Sequence, residues 1–204
     1  MYKVSPYNEK NKDKLIAFAM ENPFAFLTGI GDVYPVTTQL PLHITEVENK
    51  IIFSGHMMRK TDHHLAFEKN NNILVAFYSP HAYIDANWYE KPAVGSTVNY
   101  ISVQAKGKIN FLDEAGTYAA INQITGKYIG QNTAASFDKI SEDYKSNMVK
   151  AIAGFIIEVE SIEGVFKLSQ NMHASDLESI INHLETRSTA GDLFIAERMK
   201  QFLT

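Results

Sequence analysis

The chain has 204 residues, 45% of them hydrophobic, enough to bury a sizeable core as one elaborated domain. A formal net charge of -4 leaves no global positive field, so nucleic acid is not the default partner. Cysteine is absent, which removes disulfides, thiol nucleophiles and thiolate metal sites together.

The start, Met1 to Tyr7, lacks the basic-then-apolar pattern of a signal peptide. No apolar run reaches the roughly 20 residues of a membrane span. A cytoplasmic protein with no membrane partner is expected.

In chain order, Glu9 to Met20 reads as an amphipathic helix, with Leu15, Ile16 and Ala19 on one face and Asn22-Pro23 as its stop. Short apolar runs follow: Phe24 to Ile30, Val33 to Leu40, Leu42 to Val47 and Ile51 to His56. Turn residues separate them, which is the pattern of antiparallel strands, with Pro35 and Pro41 at strand edges or ends. Thr61 to Asn70 is a short helix, and Ile73 to Tyr78 another strand. The stretch Phe77 to Leu112 then gathers His81, Tyr83, the single tryptophan Trp88 and Tyr89 around almost no charge, forming either a core seam or a wall for a planar ligand.

Thr97 to Phe111 is the longest strand candidate. It carries Asn99, Ile101, Val103 and Ala105 on one face, and Gly107 is expected to allow a bulge or bend. Asp113 caps a helix from Glu114 to about Ile129, and a polar link around Gly130, Gln131 and Asn132 leads to a helical segment reaching Met148. Strand character resumes over Gly154 to Ile162, followed by Glu163 to Asn171. Two helices end the chain, Ser175 to Leu184 and Asp192 to Leu203, the second with Ile195, Met199 and Phe202 on its inner face. Many short strands in hairpin order, with helices inserted or appended, imply a closed antiparallel barrel that hides its edges.

Two polar clusters could carry chemistry. His56-Met57-Met58-Arg59-Lys60-Thr61 leaves a strand and opens a helix, combining adjacent cations, a hydroxyl and helix-start amides, the set that binds phosphate. Gly55 just before it would let the backbone approach a ligand closely. The bland alternative is solvated surface. Lys167-Leu168-Ser169-Gln170-Asn171 is a compact donor-rich turn, and ligand binding competes there with simple capping of the next helix.

The seven histidines form no His-Glu-x-x-His array, so no metal site is expected. Gly-x-Ser-x-Gly, Gly-x-Gly-x-x-Gly and P-loop signatures are absent, which disfavours hydrolase elbows and Rossmann or P-loop nucleotide binding. The last two helices have a length compatible with a DNA-reading pair, but Asp192, Glu197, Arg198 and Lys200 balance in charge, which favours packing on the barrel. No general acid or base can be singled out.

An ordered run of motifs resembles the PaiB-like family of FMN-binding negative transcriptional regulators, within the FMN-binding split-barrel superfamily. The residues that carry the resemblance are Thr38-Gln39-Leu40-Pro41-Leu42, Gly55-His56 with Arg59, Pro80-His81-Ala82-Tyr83-Ile84 with Trp88-Tyr89, Thr97-Val98-Asn99-Tyr100 and Gly164 to Asn171. The resemblance covers nearly the whole chain. It implies a mainly β fold with added helices: an antiparallel FMN-binding split β-barrel with C-terminal helices. It also implies a single domain over residues 1–204, with a helical insert at about 113–150 and a helical pair at about 174–204.

The partners so implied are a second copy of the chain and FMN or a related flavin held between the two copies. DNA follows from the family label but finds no support in the charge. The phosphate would lie near Arg59, Lys60 and Thr61, beside His56. The flavin ring would meet the backbone of Thr38, Gln39 and Leu40 and the side chains of Asn99, Lys167 and Gln170, with Trp88 and Tyr89 as a wall. A flavin-dependent oxidoreductase of pyridoxamine-oxidase-like or flavin-reductase type is the alternative to a regulator. Departures from the family pattern are Val98 where a tryptophan is usual, Met172 where an arginine is common, and a loose turn over Glu90 to Ser96.

Overall fold

The computed structural model describes residues 4–90, 95–130, 133 and 136–203. Part of the Glu90 to Ser96 turn, and Gln131 and Asn132 of the polar link, lie outside the described residues. The fold is mainly β with added helices. Its antiparallel strands are β1 (Asn8–Glu9), β2 (Phe24–Gly29), β3 (Val36–Pro41), β4 (His43–Val47), β5 (Lys50–Met58), β6 (Asn72–Tyr78), β7 (Ala82–Ile84), β8 (Thr97–Phe111) and β9 (Ile152–Lys167). The helices are α1 (Lys12–Glu21), α2 (Asp62–Lys69), α3 (Glu114–Ile129), α4 (Glu142–Ala151), α5 (Ala174–Arg187) and α6 (Ala190–Lys200). Strand order is β3-β2-β6-β8-β9-β5-β4, with β1 added to β9 and β7 to β8.

The chain divides into two compact units, and β8 and β9 supply residues to each. The larger unit comprises Ile16–Phe77 and Gln104–Ile162. Its strands alternate as a half-buried sheet must: Ile51, Phe53, Gly55 and Met57 of β5 point inward while Ile52, Ser54 and His56 do not. Phe53 meets Phe77 edge-on, with ring centroids 5.4 Å apart, and Leu27, Val75, Phe155 and Ile157 are wholly buried around them.

Gly55 is part of this core and not of a ligand cradle. A Cβ there would lie 2.6 Å from the Phe155 ring. Gly107 likewise forms no break, since β8 runs straight through it. It is needed because a Cβ would stand 2.2 Å from the Glu158 carbonyl oxygen of the neighbouring strand.

The smaller unit comprises the chain up to Leu15, Tyr78–Val103 and the stretch from Glu163 onward. Here β1 pairs Asn8 with Val165 and Glu9 with Gly164, and β7 pairs Ala82 with Asn99. This pairing keeps β9 in one piece through Glu163, where the sequence suggested two segments. Leu177, Ile180, Ile181 and Leu184 of α5 are buried, as are Ile195 and Met199 of α6. Phe202 is not on that inner face, because α6 ends at Lys200 and leaves it 39% exposed.

Candidate functional site

In the larger unit, β5 delivers His56 and then turns into α2. The Arg59 amide donates to the Ala151 carbonyl at 2.8 Å, which anchors the turn. Lys60 adopts left-handed backbone, φ 63°, a conformation that costs a non-glycine residue roughly 1 kcal/mol or more. Thr61 then caps α2: its hydroxyl donates to the Met58 carbonyl at 3.0 Å and accepts from the His64 amide at 3.4 Å.

Neither Arg59 nor Lys60 pairs with a carboxylate among the described residues, so two adjacent cations are left to the exterior. His56 is partly buried, its Nδ1 has no hydrogen-bond partner, and burial lowers its pKa below the ordinary histidine value. Thr38, Gln39 and Leu40 lie in this unit too, on β3, paired with Leu27, Phe26 and Ala25.

In the smaller unit, β9 ends in the Lys167 to Asn171 turn. Ser169 sits at φ 59°, is 3% exposed and exchanges hydrogen bonds with the Asn99 amide at 2.9 and 3.2 Å. Asn99 itself is fully buried and also donates to the Met199 sulfur at 3.6 Å. The Gln170 side chain closes the same turn, accepting from the Leu168 amide at 2.8 Å and donating to the Phe166 carbonyl at 2.5 Å. These contacts give Asn99 and Gln170 a part in holding the turn.

Lys167 stands differently. It is half-buried, donates to the Thr97 hydroxyl, lies 5.9 Å above the Tyr7 ring and has its pKa lowered by burial. Tyr89 is buried, and burial pushes its phenol pKa up. Trp88 stacks on His183 at 5.0 Å, with the Arg187 guanidinium also 5.0 Å from its ring, and its carbonyl accepts from Ser179 at 2.6 Å.

The larger unit therefore gathers Thr38, Gln39, Leu40, His56, Arg59, Lys60 and Thr61, and the smaller one Trp88, Tyr89, Asn99, Lys167 and Gln170. Sequence reasoning missed that Ser169 is the partner of Asn99. Seventy positions separate them, and no local pattern marks such a pair.

A family profile described as "Putative FMN-binding domain" matches residues 1–161. The chain belongs to this FMN-binding family. A PaiB-like relative, the protease synthase and sporulation protein PAI 2 of Bacillus subtilis, is 29% identical over 204 residues, covering all of this chain and 98% of that protein. Among solved structures, a flavocytochrome from Azotobacter vinelandii superimposes with a TM-score of 0.63 at 12% identity, over 81% of this chain and 72% of that one. A FAD- and haem-binding protein from Mycobacterium smegmatis gives 0.59 at 13% identity, over 79% and 73%. These likenesses establish the split-barrel fold.

The cofactor of the FMN-binding family is FMN, whose phosphate carries two negative charges and whose ring is flat. The β5–α2 corner fits the phosphate, since it offers two adjacent cations without carboxylate partners among the described residues at a helix start. Thr61 fits less directly, because its hydroxyl already caps the helix.

Proposed function

We propose that this chain is a cytoplasmic, homodimeric flavoprotein of PaiB-like regulator type, holding FMN where two copies meet, with the phosphate on Arg59 and Lys60. The observation that carries the reading is the pair of adjacent cations at the start of α2 that have no carboxylate partner among the described residues. Exposed aromatic side chains on β2, Phe24 at 52% and Phe26 at 36%, offer apolar area for a second copy. When bound, the flavin supplies hydride or electron chemistry, while this chain supplies orientation and charge.

Flavin fluorescence titration of the Arg59→Ala/Lys60→Ala variant tests the assignment. We expect affinity to fall by about 100-fold, the loss of two charge-assisted contacts, with the oligomeric state unchanged. Unchanged affinity removes the phosphate assignment.

The oxidoreductase reading has one specific foothold in Lys167. A half-buried lysine with a lowered pKa, held by a hydroxyl and no carboxylate among the described residues, can give a proton to a substrate anion. Reduction of the yellow protein by a nicotinamide donor, slowed in Lys167→Met, favours an enzyme. Salt-sensitive binding to a defined DNA site without such reduction favours a regulator.

A further inference from the structure

Residues of the connection between β2 and β3 line a groove of about 540 Å³, within the range of small-ligand sites. Ile30, Val33, Tyr34 and Pro35 of the hairpin line it, together with Leu74 of β6 and Lys106 of β8. Val33 is 82% and Tyr34 79% exposed, a density of bare apolar surface that a soluble domain rarely leaves uncovered.

The polar groups of the groove are nearly all engaged. Thr28 bonds Thr37 at 3.0 Å, Asn72 bonds Asn70 at 2.8 Å, and Glu160 faces Lys108 at 3.6 Å. Lys106 has no ion pair or hydrogen bond among the described residues, so the groove presents one uncompensated positive charge beside an apolar wall. None of its residues belongs to the β5–α2 corner.

We propose that this groove is a second ligand site, taking a small amphipathic aromatic anion whose ring lies against Val33 and Tyr34 and whose acid group meets Lys106. It does not depend on the flavin assignment. The complementarity is simple: a planar apolar body covers the exposed hairpin and a single negative charge neutralises the single free cation.

The probe is 8-anilinonaphthalene-1-sulfonate, an aromatic sulfonate that fluoresces when desolvated, titrated into the full chain with and without excess FMN. We expect one saturable site, weakened about tenfold in Val33→Asp and about fivefold in Lys106→Glu, with FMN affinity unchanged in both. Both substitutions are at exposed positions, and circular dichroism verifies their folding. Displacement of the probe by FMN, equal affinity in all three proteins, or a change of oligomeric state in Val33→Asp without loss of probe binding would each overturn the proposal. The last result would mean that a second copy covers the hairpin.

Discussion

Arg187 grips Asp192 with two guanidinium hydrogen bonds, Nε to Oδ2 at 2.8 Å and Nη2 to Oδ1 at 2.5 Å, while also donating to the Tyr83 carbonyl at 2.8 Å. Asp192 is 1% exposed and completes a capping box with Thr189 at the start of α6. The guanidinium holds its pKa down to about 2, against an ordinary value of 3.8. Because the folded-state value is the lower one, the stabilisation is complete above the unfolded value and is lost as pH falls through the folded one. Asp192→Asn should cost about 2 kcal/mol at neutral pH, read from the urea midpoint. The gap to the parent protein should close between pH 3.8 and pH about 2.

Gly107 has no room for a side chain. An alanine there would press on the Glu158 carbonyl, a backbone atom that cannot rotate away, so β8 and β9 would have to part. The expected loss is about 3 kcal/mol in chemical denaturation. A wild-type midpoint for Gly107→Ala would refute the close approach.

His64 is 4% exposed, neither ring nitrogen makes a hydrogen bond, and the ring lies 4.7 Å from that of Phe111. Burial lowers its pKa below 6.5, and Arg59 and His63 push the same way, against the opposing pull of Glu68. Below pH 6.5 the unfolded chain therefore takes up a proton that the folded chain refuses, so stability falls as the solution is acidified. His64→Leu should remove this dependence. Its thermal midpoint should match the parent within about 2 °C at pH about 8 and exceed it at pH about 5.5.

Gln170 predicts a separation of effects. Removing its amide in Gln170→Ala deletes the hydrogen bonds to the Leu168 N–H and the Phe166 carbonyl, which should cost about 1–3 kcal/mol. FMN affinity, measured well below the new midpoint, should change less than about threefold. A large loss of affinity with normal stability would instead make Gln170 a flavin contact.

The strand pattern was largely legible in the sequence because alternation is a local signal: Asn99, Ile101, Val103 and Ala105 read as one face and are the buried one. The continuity of β9 was not legible. Glu160-Ser161 and Glu163-Gly164 look like turn chemistry, and the strand is held by neighbours distant in the chain: β8 and β5 beside it, and Asn8 and Glu9 against Val165 and Gly164. The same limit applies to the candidate site. Arg59 and Lys60 stand out as adjacent cations, whereas the burial of Asn99 and the inward turn of Gln170 depend on partners supplied by distant segments or by the local closure of a turn. Trp88 reads as a ligand wall in the sequence, and its contacts with His183 and Arg187 come from a segment that no local pattern marks.

Lys60 offers a final consequence. Its left-handed backbone would be relaxed by glycine, so Lys60→Gly trades a charge for ease of folding. If Lys60 holds the phosphate as proposed, the strain of its backbone is the cost of placing a cation at that turn, and Lys60→Gly should raise stability while weakening flavin binding.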